Sequence, residues 1–295
     1  MDLLMPSNNV TEFVLLGIMQ NPHLQKILFI VFLLIFLFTM LANMLMVITI
    51  SLNLALSAPM YFFLTYLSCI DALFSSVTTP KMLIDLLYQR GTISWGGCMT
   101  QIFVEHFLGG SEIIILVVMA YDRYMAICKP LQYMIIMQQW LCQFLVVVVA
   151  WLGGILHATV QFVFAFDLIF CCPSVIDHFR CDFFSLLKLA CSDTYRLGVV
   201  VAANSGGMRL LIFFMLLISY IVILSSLKPH GSEGWHNALS TCGSHFTVMI
   251  LFFVPCIFTY THPVATYPVD NLVTMFFAIF TPMLNPIIYT VETLR

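Results

Sequence analysis

The sequence predicts an all-α membrane protein, a bundle of seven transmembrane helices forming one domain over residues 1–295. Three observations predict it. Hydrophobic residues make up 61% of the 295 positions and charged residues only 8%, whereas a soluble domain carries about 25% charged residues. Mean hydropathy is +1.02, so a soluble globule of this chain would have no polar coat and the bilayer must be part of its solvent. Seven windows also reach the roughly 20 mostly apolar residues that a spanning helix needs. None alternates as a barrel strand would. Backbone groups in lipid must pair within their own segment, so the windows are helices.

Taken in order, the first window is 27–52 and encloses Asn43. The second, 59–79, opens on Pro59 and encloses Asp71. The third, 98–121, carries Glu105 and Glu112 and runs into Asp122-Arg123. The fourth is 140–162 and the fifth 197–224. The sixth, 238–260, contains Pro255, and the seventh, 269–291, contains Asn285 between Pro282 and Pro286. An interior proline frees a carbonyl and bends its helix. The windows come singly with short connections and no internal duplication of the transporter kind. Residues 1–26 form the N-terminal segment, 163–196 a long loop, and 292–295 a short tail. The first residues lack a positive n-region and an apolar h-region, so no cleaved signal peptide is expected and the first span serves as insertion signal.

Orientation rests on unequal arguments. Asn9-Val10-Thr11 is a glycosylation sequon, which places the N-terminus outside. Cys98, Cys171, Cys181 and Cys191 fall on that side, as suits an oxidising compartment. Counting Lys and Arg does not help: Arg123, Lys129, Lys228 and Arg295 lie on the proposed inner side, but Lys26, Lys81, Arg90, Arg180, Lys188 and Arg196 lie outside. The positive-inside rule is therefore overruled by sequon, cysteines and the Asp122-Arg123 motif described next. The net charge of -3 and the lack of a basic run give no support to nucleic-acid binding.

The stretch 119–133, MAYDRYMAICKPLQY, puts a bare Asp122-Arg123 pair where an apolar helix meets a Lys129-Pro130 loop. A charged residue at a helix centre costs roughly 2.5–3.5 kcal/mol on insertion scales, so intramembrane charges mark function by default. This stretch resembles the third-helix end of rhodopsin-like G-protein-coupled receptors, and in its extended form the odorant-receptor branch. The resemblance covers nearly the whole chain: NNVTEFVLLG at 8–17, PMYFFL at 59–64, Ser219-Tyr220, ALSTCGSHF at 238–246 and PMLNPIIYT at 282–290 follow in family order. The chain is most similar to the terrestrial-type class. It departs at Ala42, where a Gly is expected, at Gln132, where a His is expected, at Trp235-His236-Asn237, where basic residues are usual, and in the tail from Val291 to Arg295. Three of these lie on the cytoplasmic rim and bear on coupling more than on fold.

The resemblance implies roles for the polar residues. Asp71 and Glu112 would face each other near mid-membrane, with Asn43 and Asn285 nearby, and hold a sodium ion; a proton on one carboxylate or a merely hydrogen-bonded polar core are the alternatives. Glu112 and Arg123 are eleven residues apart, about 16 Å along one helix face. Asp122, Arg123 and Tyr124, with Tyr220, His245 and Tyr289, would form the G-protein switch: Arg123 pairs locally at rest and swings toward the G protein when active. A snorkelling boundary charge is the plainer reading. Cys98 would pair with Cys181 and Cys171 with Cys191, Cys172 being extra; each bridge contributes about 2–4 kcal/mol. Finger-like ligand spacing for zinc is absent.

A ligand pocket is expected in the outer half among spans three, five, six and seven, from Glu105, His106, Gly109, Gly110, Asn204, Met208, Phe253 and Tyr260. Gly109-Gly110 would leave room for a small molecule, with Phe252 as further apolar wall. Any of these residues can instead pack helix to helix. Glu105 has three readings: it orients an amine or hydroxyl of the ligand, it pairs with Arg209 of the fifth span, or it is a wet rim residue. One His and one Glu, His106 and Glu105, are too few for a metal site.

Rival classes fail on specific residues. The seventh span has no Lys for a retinal Schiff base, so an opsin is excluded. A channel or transporter would show repeats or a polar pore face. A protease would show paired Asp, a His-Glu-x-x-His motif or a Ser/His dyad at helical spacing. The expected function is an odorant receptor at the plasma membrane of olfactory sensory neuron cilia. It binds small volatile molecules and activates the heterotrimeric stimulatory olfactory G protein to raise cyclic AMP, with no enzymatic activity and no cofactor beyond the sodium ion. The alternative is a weakly coupling or non-signalling odorant-binding membrane protein.

Overall fold

The computed structural model describes residues 11–19, 21–53, 58–88, 91–166, 168–170, 175–191, 195–227, 231–261 and 268–293, with side chains from 231–242, 260–261, 268–270 and 292–293 left aside. Span one is α1 (Pro22–Leu52), span two α2 (Pro59–Tyr88) and span three α3 (Trp95–Cys128). A short α4 (Pro130–Ile136) leads to span four, built of α5 (Gln139–Phe144), a π-helical stretch Leu145–Ala150 and α6 (Trp151–Phe166). After α7 (Phe183–Leu189), span five joins α8 (Tyr195–Val201), a π stretch Ala202–Gly207 and α9 (Met208–Leu227). Span six is α10 (Gly231–Thr261); span seven joins α11 (Pro268–Met275), a π stretch Phe276–Phe280 and α12 (Thr281–Thr293). The fold is the seven-helix bundle that the apolar windows predict.

Local chemistry starts these helices. Asn21 Oδ1 accepts from His23 N at 3.0 Å ahead of Pro22, and Ser94 Oγ accepts from Gly97 N at 3.1 Å. Each side chain satisfies a donor that the first helical turn leaves open. Helix ends pass the predicted windows, most at α2, which continues from Thr79 to Tyr88 with Lys81 and Asp85 ion-paired one turn apart.

Burial orders the bundle. The most apolar stretch of α3 is 72% buried, against 17% for α1, so α3 is the axis and α1 a peripheral helix. Outward residues such as Leu34, Leu211 and Ile221 are more than half exposed, a coat that only lipid would solvate. Six helices among the described residues are long and apolar enough to cross a membrane, and α10 adds the shorter apolar stretch Gly243–Thr259. With its family, reported below, this makes the chain a multi-pass membrane protein.

The sequence reading did not foresee a small sheet that covers one end of the bundle. Strand β1 (Glu12–Leu15) pairs antiparallel with β2 (Gly91–Ser94) and parallel with β3 (Val175–Ile176). Phe13 and Leu15 point inward and are buried. They form a second apolar core with Ile93, Ile176, Phe183 and Leu186. We call this end the sheet face; Asp122 and α4 mark the other.

Candidate ligand cavity and polar core

A cavity opens beneath the sheet-face loop, lined among others by Phe74, Ile102, Glu105, His106 and Phe277. Positions 98, 101 and 105 recur at helical spacing on one face of α3, and all three tie down the loop. Cys98 is bonded to Cys181, with Cα atoms 5.4 Å apart. Cys181 N donates to Gln101 Oε1 at 3.2 Å. Arg180 Nη1 donates to Glu105 Oε2 at 2.8 Å, and Thr78 Oγ1 donates to Glu105 Oε1 at 2.9 Å. The ion pair considered for Glu105 with Arg209 is therefore made by Arg180 instead. The bridge fixes Cys181, and its chain neighbour is delivered onto the carboxylate. Glu105 is only 8% exposed, so it is no wet rim residue, and an amine would have to displace Arg180 to reach it.

The other expected pocket residues divide. His106 lines the cavity, with Nδ1 2.8 Å from the Ile102 carbonyl and its ring beside His157. Gly109 also lines it, and a Cβ there would meet nothing within 4 Å. Gly110 does not widen the cavity. A Cβ on it would lie 3.3 Å from Gly154 Cα, because α3 and α6 cross there. One helical step, about 100°, turns the second glycine away. Asn204 is exposed, and Met208 is half-buried beside Arg209, which takes the lining position. Phe253 is fully buried against Phe213 and Phe252 rather than in the wall. The Tyr260 side chain lies outside the described residues. The reading missed Phe74, Arg180, Phe184, Arg209, Cys256 and Phe277, all of which line the cavity.

Mid-bundle, Asn285 Nδ2 donates to Asp71 Oδ2 at 2.9 Å. Glu112 is buried near Asp71, close enough for their charges to interact. Asn43 donates to the Thr39 and Pro282 carbonyls at 2.9 and 3.0 Å, so it braces span one against span seven. Among the described residues, Asp71 Oδ1, Glu112 Oε1 and Asn285 Oδ1 are buried without a hydrogen-bond partner. Such oxygens are hard donors of the kind a small cation takes.

Near the opposite face, Asp122 is buried and accepts from Tyr133 Oη at 2.9 Å. This contact, from α4, was not foreseen. Tyr124 packs half-buried against the core. Tyr220 Oη is hydrogen-bonded to His245 Nδ1, joining spans five and six, and Tyr289 is buried. Asn9, Cys171 and Arg295 lie outside the described residues, as do the side chains of Trp235-His236-Asn237.

Comparison with known proteins identifies the family of the chain. The family model described as "Olfactory receptor" matches residues 32–295. Olfactory receptor 4A47 from Homo sapiens is 52% identical, over 97% of this chain and 93% of that protein. Olfactory receptor 4A5 from Homo sapiens is 53% identical, over 97% and 90%. Olfactory receptor 4B13 from Mus musculus is 50% identical, over 97% and 93%. The chain therefore belongs to the olfactory receptor family, a family of odorant receptors and not of enzymes.

Proposed function

We propose that this chain is an odorant receptor that binds small volatile molecules beneath the sheet-face loop and activates the stimulatory olfactory G protein, raising cyclic AMP. The observation that carries the reading is the cavity itself: it lies over α3 and is walled largely by apolar groups such as Phe74, Ile102 and Phe277. A ligand shifts the receptor only by binding the active arrangement more tightly than the resting one. Movement of α10 away from Arg123 would break the Tyr220–His245 contact that joins α9 to α10. Leu131 of α4, 93% exposed on the Asp122 face, offers an apolar contact for the G protein.

In this reading the sheet face is extracellular, Asn9 is glycosylated and Cys171 pairs with Cys191. The protein then acts at the plasma membrane of olfactory sensory neuron cilia. Asp71, Glu112 and Asn285 would hold a sodium ion, which supplies a positive charge between two buried carboxylates.

The test is cyclic AMP in cells co-expressing the chain with the olfactory G protein, screened against a mixed odorant panel. An N-terminal tag reports surface level and Arg123→Ala serves as control. A response lost in the control supports the reading. Odorant binding without any cyclic AMP response would replace it with the non-signalling alternative.

A further inference from the structure

Span five changes register where it reaches the cavity. Its buried side chains run Val201, Ser205, Arg209, Leu216, Tyr220 and Ile223. An unbroken α-helix, at about 3.6 residues per turn, would carry the face of Val201 to Met208 and Met215, yet Met215 is 53% exposed. The π stretch Ala202–Gly207 supplies the difference. Its wider turn takes up one extra residue and so rotates α9 by about 100°. Arg209 rather than Met208 therefore lines the cavity. Ser205 lies within the stretch and is held at two atoms. Its Oγ accepts from Gln161 Nε2 of α6 at 2.5 Å, and its carbonyl accepts from Arg209 Nη1 at 3.3 Å. Gln161 and Ser205 are fully buried, and neither is among the residues that line the cavity. Gln161 Oε1 has no hydrogen-bond partner among the described residues, so the Ser205 contact is what orients the amide.

Resting on the odorant-receptor reading of the cavity, we infer that Gln161 is a positioning residue of the ligand site that itself stands outside the wall. Through Ser205 it holds the π stretch, and the π stretch decides which side chain of span five meets the ligand. The π turn is the rarer form of a helix, and a hydrogen bond from the neighbouring span favours it over the α turn. Without that bond the stretch relaxes to α-helical register. Met208 then takes the place of Arg209 in the wall, and Arg209 takes the place of Leu210, which is 37% exposed. A thioether replaces a guanidinium in the cavity, so ligand selectivity changes although no wall residue is substituted.

The test uses the full chain, carrying isotope-labelled arginine, purified into nanodiscs that contain nitroxide-labelled lipid. The Arg209 Nε–H signal in the NMR spectrum is assigned by its loss in Arg209→Lys. It is expected to keep its intensity in the unmodified chain and in Ser205→Thr, which retains the hydroxyl. In Gln161→Leu and in Ser205→Ala it is broadened by the lipid nitroxide, while the Arg180 signal of the loop is not. The double variant is broadened no further than either single one. In the cyclic AMP assay, the potency ratio of two activating odorants from the mixed panel changes about twofold to tenfold in Gln161→Leu at matched surface level, the range for one neutral hydrogen bond. An Arg209 signal that keeps its intensity in folded Gln161→Leu overturns the inference, as does an unchanged potency ratio. If Gln161→Leu does not fold, the smaller change Ser205→Ala decides by the same two outcomes. Should no odorant evoke cyclic AMP, the coupling reading fails and the Arg209 signal alone decides the inference. Odorant responses with an unmoved Arg209 signal uphold the receptor and overturn the positioning role.

Discussion

The guanidinium of Arg180 lies 2.8 Å from the carboxylate of Glu105, tying a loop residue to the wall of the central helix. Both side chains are at most 10% exposed. With the Cys98–Cys181 bridge and the Gln101 bond, the pair stitches the loop to α3 at three points over about two turns. The loop is thereby a fixed lid over the cavity.

Removing one partner of this pair leaves the other buried and uncompensated, which costs about 3–5 kcal/mol. Glu105→Gln and Arg180→Gln are each expected to lower the melting temperature and surface level sharply. The double variant should be less impaired than the two single losses added together. Thermal melts of the four proteins in nanodiscs measure this directly. Simple additivity would mean that the pair contributes no coupling.

The spans were legible because apolar length is written in composition. What sequence could not supply was register and tertiary delivery. The second window stops at Thr79 because charges follow, yet Lys81 and Asp85 neutralise each other and α2 runs on to Tyr88. Gly109 and Gly110 are indistinguishable in sequence, and only the helix rotation sends one to the cavity and the other to α6. Arg180 sits in a loop with no periodicity, and its target follows from the neighbouring bridge. Strand β1 alternates Glu12, Phe13, Val14, Leu15, but four residues are too few to read as a strand without their partners.

A glycine at the α3–α6 crossing and one at the cavity give a contrast experiment. A Cβ at Gly154 would lie 2.2 Å from Ser111 Oγ and 2.7 Å from the Phe107 carbonyl oxygen. Replacing a helix-interior glycine by alanine gains about 1 kcal/mol of propensity. Overpacking against backbone costs about 1–3 kcal/mol, so the clash wins. Gly154→Ala is expected to reduce surface level. Gly109→Ala should preserve it and change ligand potency instead, as concentration–response curves would record.

The polar core predicts a salt effect. If a sodium ion binds at Asp71, Glu112 and Asn285, the melting temperature rises with sodium at constant ionic strength, by linkage to the folded state. Asp71→Asn should abolish that rise. A rise that persists in the variant would place the cation elsewhere.

Burial holds the His178 imidazole down to about 4; Asp182 opposes the shift and Arg180 adds to it. The ring is only 7% exposed and its Nδ1 accepts from Arg180 N at 3.3 Å. Folding therefore favours the neutral ring. Its contribution is complete above the unfolded value near 6.5 and is lost as pH falls toward 4. The loss approaches about 3 kcal/mol at the bottom of that window. His178→Asn keeps an acceptor but does not titrate, so its melting temperature should fall less between pH 6.5 and 4. An unchanged slope would assign the acid sensitivity to other groups.

The Tyr133–Asp122 hydrogen bond tests the resting state. Asp122 is 2% exposed and receives Tyr133 Oη at 2.9 Å, which anchors α4 to the end of α3 beside Arg123. A hydrogen bond to a charged group contributes about 1.5–3 kcal/mol. If the active arrangement lacks this bond, Tyr133→Phe moves the resting equilibrium by about tenfold or more toward activity. Basal cyclic AMP, normalised to surface level, should rise without added odorant, and Arg123→Ala in the same background should remove the rise. Phenylalanine keeps the ring packing of α4, so a folding defect would appear first as lost surface signal. Unchanged basal activity at normal surface level would mean that the bond is present equally in both arrangements. The restraint on Arg123 would then lie in the packing of α9 and α10, where Tyr220 meets His245.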